Sequence, residues 1–222
     1  MKKHIFLFGA GVFFAACIGI AAIKLHKPSQ ELVMTGYNKT RPLFLRGDGS
    51  DCIDKLRQNG VTFTPKGDQI EGRCVIKNAV RVTAFSKTKI NSPVMLSCPT
   101  ALVTDNWLRD IDAVDLEHIG AYNCRTQRNN KLMSEHSYGT AIDIVTLNGA
   151  KIMEDWGAST SKGRYLSGAF NSACQHFSNM IGPDDNDLHK GHFHIDTGPG
   201  FGCTLKPAKQ YLTSIFHSIK AY

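Results

Sequence analysis

The chain has 222 residues, with 26 Lys and Arg against 19 Asp and Glu and a formal net charge of +7. Its basic residues are scattered and no aromatic–basic motif accompanies them, which argues against a nucleic-acid partner. A mildly basic surface suits an anionic polymer or a membrane face instead.

The N-terminal stretch reads as targeting rather than fold. Ile5 to Ile23 run without a charge behind Lys2, Lys3 and His4, a length that fits a membrane span or a long signal sequence. Residues 1–27 are read as an uncleaved anchor. Cleavage near Gly19–Ala21, or lipidation in the Phe14-Ala15-Ala16-Cys17 stretch, is the alternative. Lys24, His26 and Lys27 follow the span, so charge bias alone does not fix orientation. Six cysteines lie beyond it (Cys52, Cys74, Cys98, Cys124, Cys174 and Cys203), and none forms a C-x-x-C pair. An even number spread over a domain points to three disulfides and an oxidising compartment. Anchor and cysteines together place the domain outside the cytoplasm, in the periplasm or another extracytoplasmic space of a bacterial envelope.

Residues 28–50 are polar and turn-rich, with Pro28, Pro42 and Gly47-Asp48-Gly49-Ser50, and read as a tether. Residues 51–222 then suffice for one domain with a substantial core. In chain order, Asp51 to Asn59 reads as a helix stopped by Gly60. Val61 to Thr64 and Cys74 to Thr83 read as strands joined through a turn at Pro65-Lys66-Gly67-Asp68. Ser97 is placed to cap a helix with Pro99 in its first turn and Ala101, Leu102, Trp107, Leu108 and Ile111 as its apolar stripe. Strands follow at Ile119 to Cys124 and Ala141 to Leu147. Phe170, Ala173, Cys174 and Phe177 suggest a helix over Ser167 to Met180, and Gly191 to Thr197 is a last strand. Strands and helices without a regular βαβ rhythm define an α+β domain.

Two segments concentrate unusual side chains: Ser134-Glu135-His136-Ser137-Tyr138-Gly139-Thr140-Ala141-Ile142-Asp143 and His189-Lys190-Gly191-His192-Phe193-His194-Ile195-Asp196. On a strand, His192, His194 and Asp196 share one face while Phe193 and Ile195 pack into the core. Adjacent neutral imidazoles make good metal ligands, although two surface histidines would give the same pattern. Asp143 lies between Ile142 and Ile144, so its carboxylate faces away from two core residues. It must then be paired, hydrogen-bonded or metal-bound. Gly139 lets the chain turn sharply between His136 and Asp143. Two His and one Asp with a fourth position open is a catalytic zinc arrangement.

Ser-x-His-x-x-Gly-x-Ala-x-Asp followed by a late His-x-His resembles the zinc peptidases grouped around lysostaphin, D-alanyl-D-alanine carboxypeptidases and the hedgehog fold. Within that group, Tyr122-Asn123-Cys124-Arg125, Trp156 and the stretch from Gly182-Pro183 to Asp196 resemble the bacterial extensin-like C-terminal domain over about Cys52 to Cys203. The resemblance implies a small, mainly antiparallel sheet with flanking helices. It implies His136, Asp143 and His194 as ligands of Zn2+, with His192 and His189 as catalytic histidines in a His-x-x-His-x-His pattern. Arg125 becomes a contact to a substrate carbonyl or carboxylate, and Ser134 an outlying hydrogen-bonder on the substrate side. Peptidoglycan becomes the expected partner and a peptide amide the scissile bond, in endo or exo mode. A wall-binding module that keeps zinc without turnover is the alternative. Asp184, Asp185 and Asp187 are candidates for a base, Glu135 is expected in solvent, and Trp156 is either a sugar platform or core. His118, His176 and His217 are expected to be structural. A Cys174–Cys203 bond would clamp the last strand, leaving Cys52, Cys74, Cys98 and Cys124 to pair in the N-terminal half.

Overall fold

A computed structural model describes residues 49–128, 131–200 and 203. The anchor segment, nearly all of the tether, and His217 lie outside the described residues. Within them no helix is long and apolar enough to cross a membrane.

Helix α1 (Gly49–Asn59) buries Cys52 and Leu56 and stops at Gly60, whose φ of 84° is in the left-handed region. Strand β1 (Thr62–Glu71) then pairs antiparallel with β2 (Cys74–Ala84). The expected turn at Pro65 to Asp68 is not a turn. The strand runs through it with register shifts around Gly67, and the chain reverses at Gly72-Arg73. As an almost wholly exposed edge strand, β1 loses no ladder partner to Pro65 that a bulge cannot absorb.

Strand β3 (Lys89–Ser97) was not legible, because Asn91-Ser92-Pro93 reads as a loop. Pro93 lies where the β2–β3 register breaks, between Val82↔Val94 and Ala84↔Lys89, so no ladder bond is required of it. Helix α2 (Cys98–Asp110) begins as expected, with the Ser97 hydroxyl accepting from the Thr100 N–H and Pro99 in the first turn. Strand β4 (Asp115–Gly120) starts and ends four residues earlier than expected, and is parallel to β3.

A short 3-10 turn over Glu135–Tyr138 leads to β5 (Ala141–Leu147) and the two-residue β6 (Ala150–Lys151). Helix α3 (Ile152–Asp155) precedes α4 (Ser161–Ala173), which is shifted N-terminally from the expected Ser167–Met180. Thr160 caps α4 by accepting from the Gly163 N–H at 3.1 Å. Phe177 keeps the helical spacing beyond the helix because it turns back onto Trp107, edge to face with ring centroids 5.8 Å apart. Met180 belongs instead to β7 (Asn179–Ile181), before a 3-10 turn at Asp187–His189 and β8 (Phe193–Asp196).

The result is an α+β domain on one mixed eight-stranded sheet, ordered β1-β2-β3-β4-β5-β8-β7 with β6 on β5. Ile142 and Ile144 of β5 and Phe193 and Ile195 of β8 join Trp107, Leu108, Leu166 and Ala169 of the helices in one core. Their alternate neighbours therefore face the other side of the sheet. Cys52–Cys98 ties α1 to α2, Cys74–Cys124 ties β2 to the segment before Arg125, and Cys174–Cys203 ties the end of α4 to the chain after β8.

Candidate metal centre

On that second face, antiparallel pairing sets Asp143 of β5 directly opposite His194 of β8. The third member comes from the 3-10 turn. Gly139 ends the turn at φ 62° and lies so close to Ile76 and the Ser97 N–H that a Cβ would meet them at 2.8 and 3.0 Å. Only glycine suits this position, and it brings His136 back over β5.

His136 Nε2 lies 3.2 Å from Asp143 Oδ2 and 3.2 Å from His194 Nδ1, and His194 Nδ1 lies 2.8 Å from Asp143 Oδ1. Ligands about 2.0–2.1 Å from a tetrahedral zinc are separated by about 3.3 Å, so these donors are close to the edges of such a tetrahedron. Two imidazoles and a carboxylate also suit zinc chemically. Among the described residues this is the group whose donor atoms converge enough to hold a metal ion.

Hydrogen bonds behind the cluster settle which ring nitrogens face it. The Ala121 carbonyl, 2.5 Å from His136 Nδ1, can only accept, so Nδ1 carries hydrogen and Nε2 faces the cluster. His194 Nε2 lies 3.1 Å from Asp196 Oδ2, leaving Nδ1 toward Asp143. Burial opposes ionisation of Asp143, but the adjacent His136 and His194 rings outweigh it and hold the carboxyl well below the usual carboxylate range. For His194, burial disfavours the charged ring, yet Asp143 and Asp196 push its pKa up to about 9.

The cluster sits in a cleft of about 660 Å³. His192 and His189 line it as expected, but His192 Nε2 is 3.8 Å from Asp143 Oδ1 and stands outside the converging set. The two rings are neighbours, with centroids 4.8 Å apart. Burial and the adjacent histidines hold His189 down to about 4, and burial likewise lowers His192, so both are neutral near pH 7. Asn186 Oδ1 accepts from the Leu188 N–H, which identifies it as the oxygen, and lies 2.7 Å from His189 Nδ1. His189 Nδ1 therefore carries hydrogen, and the basic lone pair is on Nε2.

Arg125 and Ser134 also line the cleft. The Ser137 hydroxyl accepts from the Arg125 N–H at 3.0 Å and donates to the Arg125 carbonyl at 2.7 Å, so the motif that supplies His136 also fixes the backbone of Arg125. Arg128, which the sequence did not single out, lies in the same wall, with Ile119 and Leu188 as exposed apolar side chains on the rim.

Several expectations are corrected. Glu135 is buried rather than solvated, and its Oε2 accepts from the Thr140 hydroxyl at 2.7 Å. Asp184, Asp185 and Asp187 do not line the cleft. Asp185 accepts from the Gly182 N–H, and Asp187 pairs with Lys190 in solvent. Of the two readings of Trp156 the core one holds, since it packs between Phe170 and Phe193. His118 and His176 stand apart from the cleft as expected, His118 buried on β4 and His176 paired with Asp110. Asn186 and Asp196 were missed as supports. An Asx turn in Asn186-x-x-His189 was a readable signal for the first.

A disulfide-stapled α+β domain with a convergent His–Asp–His group at the floor of a cleft is thus the class of protein defined. Residues 50–203 match the family described as Extensin-like protein C-terminus, and the chain belongs to that family. No curated protein and no solved structure matches it.

Proposed function

We propose that the protein is a zinc-dependent peptidase that hydrolyses amide bonds in the peptides of peptidoglycan, with its domain in the bacterial envelope. The observation that carries this reading is the convergence of His136 Nε2, Asp143 and His194 Nδ1 beside two neutral histidines that are not part of the ligand set. A site serving stability alone has no need of such a pair in an open cleft.

Zinc, when bound, would supply Lewis acidity toward a carbonyl oxygen and a lowered pKa for water. His189, with Nδ1 held by Asn186, would take the proton of the attacking water at Nε2. His192, between His189 and the ligands, would orient that water and relay the proton taken up by His189 to the leaving amine, which returns both rings to the neutral form. Arg125 would donate to the substrate carbonyl or to a neighbouring carboxylate. Peptidoglycan is favoured as substrate by the +7 charge and the reading of residues 1–27 as an envelope anchor.

The test is mass spectrometry of purified sacculi incubated with the protein, with chelator and zinc-readdition arms. New amine and carboxyl termini on stem peptides, lost with chelator and restored by zinc, are expected. If the protein pellets with the wall but releases nothing, with or without His192→Ala, the non-catalytic module replaces this reading.

A further inference from the structure

Asp196 is 4% exposed and both of its oxygens face donors. Oδ1 accepts from the Gly198 N–H at 2.8 Å and from Asn179 Nδ2 at 2.7 Å, while Oδ2 lies 3.1 Å from His194 Nε2. Asn179 Nδ2 also faces the Gly198 carbonyl at 3.4 Å, so this corner of the amide must be its NH2. The Oδ1 site is thus fixed as an acceptor site by two donors that cannot reverse roles. A Cβ on Gly198 would come within 2.4 Å of Glu135 Oε2, so glycine is what lets this segment close over the motif.

We propose that Asp196 is a positioning residue that sets the tautomer of His194. A neutral imidazole carries one ring hydrogen. By accepting from Nε2–H, Asp196 keeps the one hydrogen of the neutral ring there, so that Nδ1, the nitrogen that faces Asp143 and His136, is the one that gives up its hydrogen when a metal binds. Asn179 and Gly198 in turn hold Asp196 still. The inference rests on the reading of this cluster as a metal site, and it makes Nδ1 the ligand atom of His194 because of a residue outside the ligand set.

The chemistry separates two substitutions in an unusual order. In Asp196→Asn the Gly198 N–H still demands an acceptor, so the amide oxygen takes the Oδ1 position. The NH2 then faces His194 Nε2, which must accept, and the ring hydrogen moves to Nδ1, where it blocks ligation. Asp196→Ala leaves both tautomers open. If Asp196 only filled space, the isosteric Asn would be the milder change and Ala the harsher.

Zinc affinity would be measured by chelator competition on the full-length wild type and both variants, with far-UV circular dichroism to verify folding. Long-range 1H–15N spectra, recorded above about pH 9 where the ring is neutral, would read the His194 tautomer in the metal-free Asn variant. Expected are a loss of about 10–100-fold for Asp196→Ala, a further loss of at least about tenfold for Asp196→Asn, and hydrogen on Nδ1 in the latter. An Asn variant that binds zinc as well as the Ala variant, or keeps its hydrogen on Nε2, overturns the inference. If the wild type binds no zinc, the metal reading fails by itself, and the tautomer spectrum still decides the role of Asp196.

Discussion

Raising the pH from 6 to 8 should tighten zinc binding about a hundredfold through His194 alone. In the metal-free protein this ring is an imidazolium between Asp143 and Asp196. Burial opposes the charge, but the two carboxylates hold its pKa at about 9. Ligation needs the Nδ1 lone pair, so one proton must leave, and below pH 9 each unit of pH is worth about 1.4 kcal/mol. Two units give about 2.7 kcal/mol, and the gain levels off above pH 9. Asp143, held far below this range, adds no proton to the exchange. Competition against a chelator of known pH dependence gives the slope. Calorimetry in two buffers of different ionisation enthalpy gives the proton count, with at least one released at pH 7. A zinc affinity that is flat between pH 6 and 8, or binding without proton release, would refute the reasoning.

The same proton shapes the metal-free protein. Because the folded pKa of His194 is raised from 6.5 to about 9, its contribution is complete below about pH 6.5 and is lost as pH rises toward 9. It is on the order of 3 kcal/mol, and thermal melts of metal-free wild type should fall over that window while those of His194→Ala stay level through it. His192→Ala should retain zinc by elemental analysis, since the ring lies outside the ligand set, and should lose about 10²–10⁴-fold in muropeptide release. Gly139→Ala combines a left-handed φ with a 2.8 Å approach to Ile76; a loss of about 2–4 kcal/mol in denaturant melts is expected.

What was legible followed from short-range rules. Ser97-x-Pro99 marked the start of α2, and the alternation around Asp143 and His194 marked two strands whose core-facing isoleucines and phenylalanine identified the opposite face as the one that carries the cluster. What was hidden depended on pairing. Nothing local distinguishes Asn91-Ser92-Pro93 from a loop until the broken register with β2 makes room for it. The helix over Ser167–Met180 was misplaced because Phe177 returns to Trp107 by a turn that imitates helical spacing. Glu135 looked solvent-facing because its neighbours are polar, yet Gly198, distant in sequence, closes over it. Of the disulfides, Cys174–Cys203 was anticipated as a pair, and Cys52, Cys74, Cys98 and Cys124 as a set that pairs within itself. The pairs Cys52–Cys98 and Cys74–Cys124 reflect helix and strand adjacencies that cysteine spacing does not encode. The candidate ligands were visible as two motifs, but which nitrogens face the cluster, Nε2 on His136 and Nδ1 on His194, is set by the Ala121 carbonyl and Asp196, which only the fold brings into place.

The central claim, that His136, Asp143 and His194 together hold one zinc ion, is tested most directly by metal stoichiometry across single substitutions of the zinc-reconstituted protein. One zinc per wild-type chain is expected, with loss of the metal in His136→Ala, Asp143→Ala and His194→Ala and its retention in His192→Ala. A wild type that takes up no zinc, or an Asp143→Ala or His194→Ala variant that keeps it at wild-type affinity, would contradict the claim.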